Sequence, residues 1–332
     1  MYEASLAHFC DPSTHTPLVI EATERDGDEI LAGHLVCPAS GSRYPIVNGI
    51  PRFVPAENYA DGFGFEWQRF ADLQTDSHQP HTITHDRFYA QVGLTPEELG
   101  KMTVLEAGCG GGRFSDVVLE TGAQLFSFDL SNAVDKNREI HRTARNHHLA
   151  QASIAEAPFV PQSFDLVFCF GVIQHTPDPE GFFRSLIPFV KPGGLLCIDV
   201  YAAHPKQTSH WKYLVRPFTR HMDHETLLHG IERAAEVLVP ISRQVRRIPV
   251  LGKPLSRFVP IFVHDGFMGK VPREDEVRHA VLETFDALSP AYDKPRSRRT
   301  LRRWFEKAGF EHIETFCEMN ALNSARGRAP LA

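Results

Sequence analysis

The chain has 332 residues, of which 42% are hydrophobic and 23% charged, and its formal net charge at pH 7 is -6. This composition is typical of a globular protein that buries a substantial core, as one large domain or as a main domain with additions. The acidic balance argues against a general nucleic-acid binder, because such proteins normally carry a basic excess. Two basic clusters, around Arg246 and Arg299, are interpreted as solvated helix faces.

No stretch approaches the roughly 20 apolar residues that a membrane span needs, and residues 1–3 do not resemble the start of a signal peptide. The six cysteines are scattered, which indicates reduced, buried thiols rather than a disulfide framework. We therefore expect a soluble, cytoplasmic protein with no membrane partner and no nucleic-acid partner. Its oligomeric state stays open, and a homodimer is one alternative.

Residues 1–55 are dense in turn residues and are interpreted as a small β-rich unit. The run 43–53 predicts a short strand, a turn at Asn48-Gly49 and a second strand. Together with two cysteines upstream, this run resembles the small zinc-ribbon-like domain that activates some tRNA and protein methyltransferases. In that domain, two C-P-x-C knuckles precede a Y-P-I-x-x-G-I-P segment.

The metal ligands of such a domain are thinned in this chain. Cys10 and Cys37 occupy the first positions of the two knuckles, whereas Ser13 and Ser40 stand at the second positions. Serine is a poor zinc ligand and a structural zinc normally needs four cysteine or histidine donors, so we predict no metal site. One alternative set of four donors remains open: Cys10, His15, His34 and Cys37. Without a metal, the unit must be held together by apolar packing on the main domain.

Residues 56–100 are predicted to form a helical linker, in which Phe63, Trp67 and Phe70 share one helical face. From residue 101 onward, strands alternate with helices, as expected for a parallel sheet with helices on both faces. The predicted strands are Thr103–Ala107, Gln124–Asp129 and the segments 150–154, 164–170 and 195–200. A helix is predicted from Asp178-Pro179, with a face made of Phe183, Leu186, Ile187 and Val190.

A glycine-rich turn joins the first of these strands to a helix. Glycines allow the backbone to fold sharply and a ligand to approach it closely, and the helix N-terminus would direct free N–H groups at that ligand. A dinucleotide fingerprint would need a third glycine where Arg113 stands, which argues against that class of cofactor. The alternative is a turn with no ligand. The residues of the motif are Glu106, Ala107, Gly108, Gly110 and Gly112.

The acidic residue followed by G-x-G-x-G resembles motif I of the class I S-adenosylmethionine-dependent methyltransferases. The resemblance implies that Asp129, followed by Leu130, binds the ribose hydroxyls of the cofactor. Ser153-Ile154 stands where the family usually has an acidic residue for the adenine, so the charge is lost there. Phe170-Gly171 matches the end of the family's fourth strand. Residues 63–70 resemble a segment that covers the cofactor pocket, with packing alone as the alternative.

The resemblance also places His175 beside the methionine part of the cofactor or at the mouth of the substrate site. A histidine there can act as a general base, because its unperturbed pKa lies near physiological pH. Packing against the cofactor is the alternative role. Tyr201 and His204, just past the fifth strand, are expected to face the same cavity and are the next catalytic candidates.

Residues 201–295 break the alternation with recurrent prolines and one amphipathic helix through Leu227 and Leu238, and are interpreted as a cap over the ligand face. Residues 296–332 are predicted to complete the core. They contain a helix closed by Gly309, a strand over 310–317 and a weak edge strand in the tail from residue 320.

We therefore predict an α/β fold: a doubly wound, Rossmann-like methyltransferase sheet with a small β-rich N-terminal unit and a helical cap insertion. Residues 101–200 would form the S-adenosylmethionine-binding core. The expected activity is methylation of a small-molecule acceptor, a sugar, natural product or other metabolite, at oxygen or nitrogen. Two alternatives stay open: an enzyme that uses the same cofactor for other chemistry, and a non-catalytic activator of a partner protein.

Overall fold

The computed structural model describes residues 1–55, 58–75, 82–203, 210–263, 272–318 and 322–331. The strands are β1 (Val19–Asp26), β2 (Glu29–Val36), β3 (Arg43–Val47), β4 (Ile50–Pro51), β5 (Thr103–Ala107), β6 (Gln124–Asp129), β7 (His147–Gln151), β8 (Phe164–Cys169), β9 (Val190–Tyr201), β10 (Glu311–Glu318) and β11 (Leu322–Arg328). The α-helices are α1 (Asp61–Gln74), α2 (Ile83–Val92), α3 (Pro96–Leu99), α4 (Arg113–Leu119), α5 (Ala133–Ile140), α6 (Pro179–Leu186), α7 (Lys212–Thr219), α8 (His224–Arg246), α9 (Gly252–Ser256), α10 (Arg273–Leu288) and α11 (Arg298–Lys307).

The main sheet has seven strands in the order β10-β11-β9-β8-β5-β6-β7. The pairs among β5 to β9 are parallel, whereas β11 runs antiparallel to both β9 and β10. Along β5, Val104 and Leu105 point into two different apolar clusters, because successive side chains of a strand face opposite ways. Apolar residues of α2 and α4 lie in one cluster and those of α6 and α11 in the other. The predicted doubly wound α/β fold is confirmed.

The C-terminal tail forms a strand, as predicted, but the predicted position at the edge of the sheet is wrong. β11 lies between β9 and β10, with Ala325 paired to Ile198 on one side. Its sequence is polar, yet the polar groups are satisfied where they are buried: Gln91 Nε2 donates to Ser324 Oγ at 3.1 Å, and Asn323 Nδ2 donates to the carbonyl of Arg296 at 2.8 Å. These hydrogen bonds offset the free-energy cost of burying the polar groups of this strand.

Two other predicted elements are displaced. The third strand of the core covers His147–Gln151 rather than 150–154, so Ile154 lies in a single 3₁₀ turn beyond its end. The helix after β8 ends at Leu186, because Pro188 lies in a 3₁₀ turn and its ring cannot continue an α-helix. Val190 consequently begins β9 instead of extending the helix face.

Residues 1–55 contain a four-stranded antiparallel sheet in the order β1-β2-β3-β4. β3 and β4 are joined at Asn48 and Gly49, whose φ angles are 52° and 74°, so the predicted strand-turn-strand is confirmed. Phe9 packs on Phe159, and Arg52 bridges to Gln151 of β7. Most of the buried apolar residues of this unit therefore belong to the same cluster as one face of the main sheet.

A buried carboxylate, that of Asp11, lies between the segments 10–13 and 37–40. Asp11 Oδ1 accepts hydrogen bonds from the backbone and hydroxyl of Ser13 at 2.9 and 2.6 Å and from the backbone N–H of Thr14 at 2.9 Å. Oδ2 accepts from the hydroxyls of Ser40 and Tyr44, each at 3.0 Å. Ser13 and Ser40 are thus both donors to one aspartate. Burial alone would raise the pKa of Asp11, but these hydrogen bonds outweigh it and lower the pKa well below its ordinary value.

α8 and α10 share a core with α1. Phe70 and Leu73 of α1 belong to one apolar cluster with Leu227 and Ile231 of α8 and Phe285 of α10. The predicted amphipathic helix is α8, with Leu227 and Ile231 on its buried side. The role of residues 201–295 as a cap over the ligand face stays a prediction.

We expect Asp11→Ala to lower the free energy of unfolding by about 3 kcal/mol, because five donors lose a buried acceptor. Urea denaturation monitored by circular dichroism measures the change. Since the pKa of Asp11 is lowered on folding, its stabilising contribution is present above the ordinary aspartate pKa and is lost as the pH falls below about 4. Asp26→Ala, at an exposed strand end, is the matched control and should change stability by less than about 0.5 kcal/mol. Equal losses for the two variants would contradict this account.

Candidate functional site

The glycine turn after β5 is tied to the end of β6. The backbone N–H groups of Gly108 and Cys109 both donate to the carbonyl of Phe128, at 2.8 and 3.1 Å. Gly108, Gly110 and Gly112 have φ angles of 78°, 51° and 100°, a region that side-chain-bearing residues rarely adopt. The turn therefore requires glycine at each position that the sequence motif singled out.

Trp67 of α1 lies directly on this turn. A Cβ atom on Gly110 or Gly111 would come within 2.4 Å of the indole, so the close packing of α1 also requires glycine. Trp67 and Phe70 are buried, and the predicted docking of this helix is confirmed. That the helix covers a cofactor pocket stays a prediction.

Asp129 ends β6 beside the turn. Its Oδ2 accepts from the N–H of Gly110 at 2.9 Å, and its Oδ1 accepts from the backbone and hydroxyl of Ser131 at 2.8 and 2.7 Å. Burial raises the pKa of Asp129, although these hydrogen bonds oppose the shift. A half-buried carboxylate held in this way fits a ligand with hydroxyl donors, such as the ribose of S-adenosylmethionine, because each oxygen can accept more than one hydrogen bond.

Glu106 is directed into the protein. Its Oε2 accepts from the hydroxyls of Ser115 on α4 and Ser127 on β6, at 2.6 and 2.9 Å. Burial raises the pKa of Glu106 to about 7 although the two serines oppose the shift. The carboxyl group therefore fastens α4 and β6 to β5 below the turn, with the buried Ala107 next to it. Direct contacts of Glu106 and Ala107 with a cofactor stay predictions.

The end of β8 is held by an aspartate that the sequence analysis missed. Asp199, fully buried on β9, accepts from the N–H of Gly171 at 2.5 Å, from Gln91 at 2.8 Å and from Arg87. Gly171 has a φ of 75°, and a Cβ there would meet no atom within 4 Å, so open space borders this position. Phe170 packs into an aromatic cluster of the core. The sequence signal that could have identified Asp199 is a single carboxylate within an otherwise apolar strand.

The segment after β7 is capped by Ser153, whose Oγ accepts from the N–H of Ala155 at 3.2 Å. Ile154 is buried beside it. The carbonyl of Leu130 accepts from Asn58 and Gln151, at 2.9 and 3.1 Å, which joins the segment before α1 to the end of β6. The predicted cofactor contacts of Leu130, Ser153 and Ile154 stay predictions.

His175 and Tyr201 come together beyond the strand ends. Their ring centroids are 5.3 Å apart, and the ring of Phe63 lies 5.2 Å from that of His175. His175 Nδ1 lies 2.9 Å from the carbonyl oxygen of Tyr292, which can only accept a hydrogen bond. In the neutral ring, Nδ1 therefore carries the proton and Nε2 keeps its lone pair. His204, the third catalytic candidate, lies outside the described residues.

Carboxyl groups dominate this side of the site. Tyr201 donates its hydroxyl to Asp286 Oδ2 at 2.9 Å, and burial together with Asp286 raises the pKa of Tyr201 well above its ordinary value. Burial and Asp286 also raise the pKa of Glu66, and burial raises that of Glu283 to about 7. Asp293 is paired with Lys212 at 2.6 Å. Tyr201 is therefore a phenol that donates to a carboxylate rather than a base.

Within the described part of the chain, no group of three or more histidine, cysteine, aspartate or glutamate side chains is arranged to hold a metal ion. The alternative set of Cys10, His15, His34 and Cys37 thus does not form one. Cys37 instead accepts from the N–H of Ser40, with its sulfur 3.4 Å from that nitrogen. In the same described residues, no helix has the length and apolar character to cross a membrane.

Comparisons with known proteins concern mainly the core. Residues 82–235 match a family model described as a methyltransferase domain. A ubiquinone biosynthesis O-methyltransferase of Leptothrix cholodnii is 31% identical over 116 residues, which are 34% of this chain and 49% of that protein. The enzyme of the same name from Albidiferax ferrireducens is 32% identical over 142 residues, covering 42% and 56%. The chain thus spans about half the length of these curated relatives.

Among solved structures, a SAM dependent methyltransferase from Aquifex aeolicus is 12% identical, covering 79% of this chain and 97% of that one with a TM-score of 0.44. A likeness this distant says nothing about activity. Residues 82–235, which are a little under half of the chain, are thus similar to a methyltransferase domain.

Proposed function

We propose that this protein transfers a methyl group from S-adenosylmethionine to a hydroxyl oxygen of a small-molecule acceptor. The observation that carries this proposal is the hydrogen bond between His175 Nδ1 and the carbonyl of Tyr292, which leaves Nε2 as an unprotonated base at the end of β8. A hydroxyl must lose its proton to become methylated, so a base is needed there. The ubiquinone relatives are named as O-methyltransferases, which supports oxygen over nitrogen.

The cofactor would lie along the carboxyl ends of β5, β6 and β8. Asp129 would accept its ribose hydroxyls, and the glycine turn would allow close approach of its methionine part. Gly171 would border it at the end of β8, where a side chain would project into the open space. When bound, the cofactor supplies a methyl group on a positively charged sulfur, which an oxygen nucleophile can attack in line.

His175 would accept the proton that the acceptor hydroxyl loses. Burial lowers its pKa and the nearby Asp286 opposes the shift, so the imidazole is neutral and able to accept a proton at pH 7. Tyr201 would position the acceptor side by its hydrogen bond to Asp286. Burial raises the pKa of Glu66 and of Glu283, so their carboxyl groups can hold a proton and donate as well as accept, which favours a substrate with several hydroxyl groups.

The two additions to the core, residues 201–295 and residues 1–55, would have different roles. Residues 201–295 would close the acceptor side as a cap, because α10 supplies Asp286 and the loop after it supplies Tyr292. Residues 1–55 would act as a metal-free relative of the zinc-ribbon-like unit, held by Asp11 and by apolar packing on the sheet.

The direct test is incubation of the purified chain with methyl-labelled S-adenosylmethionine and a panel of hydroxylated metabolites. We expect label in the product and equimolar S-adenosylhomocysteine by mass spectrometry. Conversion of an acceptor without label, or failure of the chain to bind S-adenosylmethionine in calorimetry, would rule the proposal out.

For Asp129→Ala we expect S-adenosylmethionine to bind roughly 10- to 100-fold more weakly, because hydrogen bonds to a charged acceptor are lost. Asp129→Asn keeps one oxygen and should lie between this variant and the unchanged chain. Isothermal calorimetry measures the affinities, and Asp26→Ala serves as the control. Unchanged affinity in Asp129→Ala would place the ribose elsewhere.

Replacing His175 with glutamine should lower kcat roughly 100-fold or more with little change in S-adenosylmethionine affinity, because a general base is lost. In the unchanged chain, kcat should fall at acid pH as the imidazole is protonated. Since the pKa of His175 is lowered, this fall should lie below pH 6.5. The matched control is Tyr201→Phe, which should keep the acid limb of the pH profile. Persistence of that limb in the glutamine variant would argue against His175 as the base.

A further inference from the structure

Large apolar side chains are exposed along the second half of α8, the turn after it and α9. The residues of this apolar surface are Val237, Ile241, Ile248, Val250, Leu251, Leu255 and Phe258. Val250 is 93% exposed and Phe258 is 80% exposed. A contiguous set of large apolar side chains in contact with water is unusual on a monomeric protein. The surface lies outside the site built on the strand ends.

The exposed residues follow helical spacing. Val237 and Ile241 are four residues apart on α8, and Leu251, Leu255 and Phe258 recur at i, i+4 and i+7 around α9, so each set forms a stripe. α9 packs on the end of α8 at Gly252, where a Cβ would come within 2.6 Å of two carbonyl oxygens of α8. The two stripes therefore belong to one local unit.

The turn between the two helices holds a strained residue. Val250 has a φ of 64°, a left-handed conformation that is costly for a β-branched side chain. The strain places an almost fully exposed valine at the tip of the turn, where it gains no burial within the chain. Burial of the Val250 side chain against a binding partner would offset the free-energy cost of this conformation.

The same stretch is strongly basic in an acidic protein. Residues 237–264 contain five basic residues and no aspartate or glutamate, whereas the whole chain has a net charge of -6. Arg243 is paired with Glu276 of α10 at 3.2 Å. Arg247, Lys253 and Arg257 are exposed beside the apolar stripes. The combination of exposed apolar stripes and flanking cations is typical of helices that lie in a membrane interface.

We propose that this apolar surface, with its flanking basic residues, docks the protein on an anionic lipid surface. The positive charges complement anionic headgroups, and the apolar stripes supply area to bury at the headgroup boundary. A second copy of the chain is the competing occupant. A two-fold dimer through this face would set its exposed cations, Arg247, Lys253 and Arg257, against the same three, which disfavours it. This attachment is peripheral, and it does not depend on the proposed methyl transfer.

The test is co-sedimentation of the full chain with vesicles of equal parts phosphatidylglycerol and phosphatidylcholine, compared with vesicles of phosphatidylcholine alone. We expect binding to the anionic vesicles that weakens as salt is raised. The double variant Val250→Asn and Phe258→Ser should lose at least roughly 10-fold in affinity, because apolar burial is removed. The charge variant Arg247→Gln with Arg257→Gln should lose roughly 30-fold.

Leu331→Ser is the matched control, because Leu331 is 81% exposed but lies in the C-terminal tail, and its binding should be unchanged. All the substituted residues are exposed, and circular dichroism checks that each variant is folded. Absence of binding to anionic vesicles, or equal binding by the double variant, would overturn the proposal. A dimer in light scattering that the double variant converts to a monomer would also overturn it, in favour of a second copy.

Discussion

The hydrogen bonds between the glycine turn and the end of β6 are the constraint on which the site depends. The N–H groups of three successive residues, Gly108, Cys109 and Gly110, donate hydrogen bonds to the carbonyl of Phe128 and the carboxylate of Asp129. They fix the turn in left-handed conformations that only glycine adopts without strain. The indole of Trp67 then packs against bare backbone. The same glycines thus satisfy both the fold of the turn and the docking of α1.

Buried carboxyl groups hold the other loops in place. Asp199 fastens the backbone of Gly171 after β8, and Glu106 joins β5 to α4 and β6 through two serine hydroxyls. In the N-terminal unit, Asp11 accepts hydrogen bonds from both Ser13 and Ser40. A carboxylate that accepts several hydrogen bonds can order loops that a core of apolar side chains leaves free. In each case at least one donor comes from a distant part of the chain.

The side of the site around His175 and Tyr201 has a different origin. It is assembled from β9, α1, α10 and the loop after α10, which are far apart in sequence. His175 receives its orientation from the carbonyl of Tyr292, 117 residues later in the chain. Tyr201 is likewise fixed by Asp286. The chemistry proposed for this side therefore rests on residues between 201 and 295, outside the glycine motif.

Sequence alone determined the strand-helix alternation of the core, the glycine turn and the Asn48-Gly49 hairpin, because each depends on residues that are neighbours in the chain. It did not predict the inner position of β11, whose polar residues are compatible with burial only once Gln91 and the carbonyl of Arg296 are beside them. Asp199 was missed for the same reason. Local patterns carry helix periods and turn preferences, but they do not carry the donors and acceptors that arrive from elsewhere. Where a polar group is buried, only the tertiary structure decides, because its cost depends on partners that folding alone brings near.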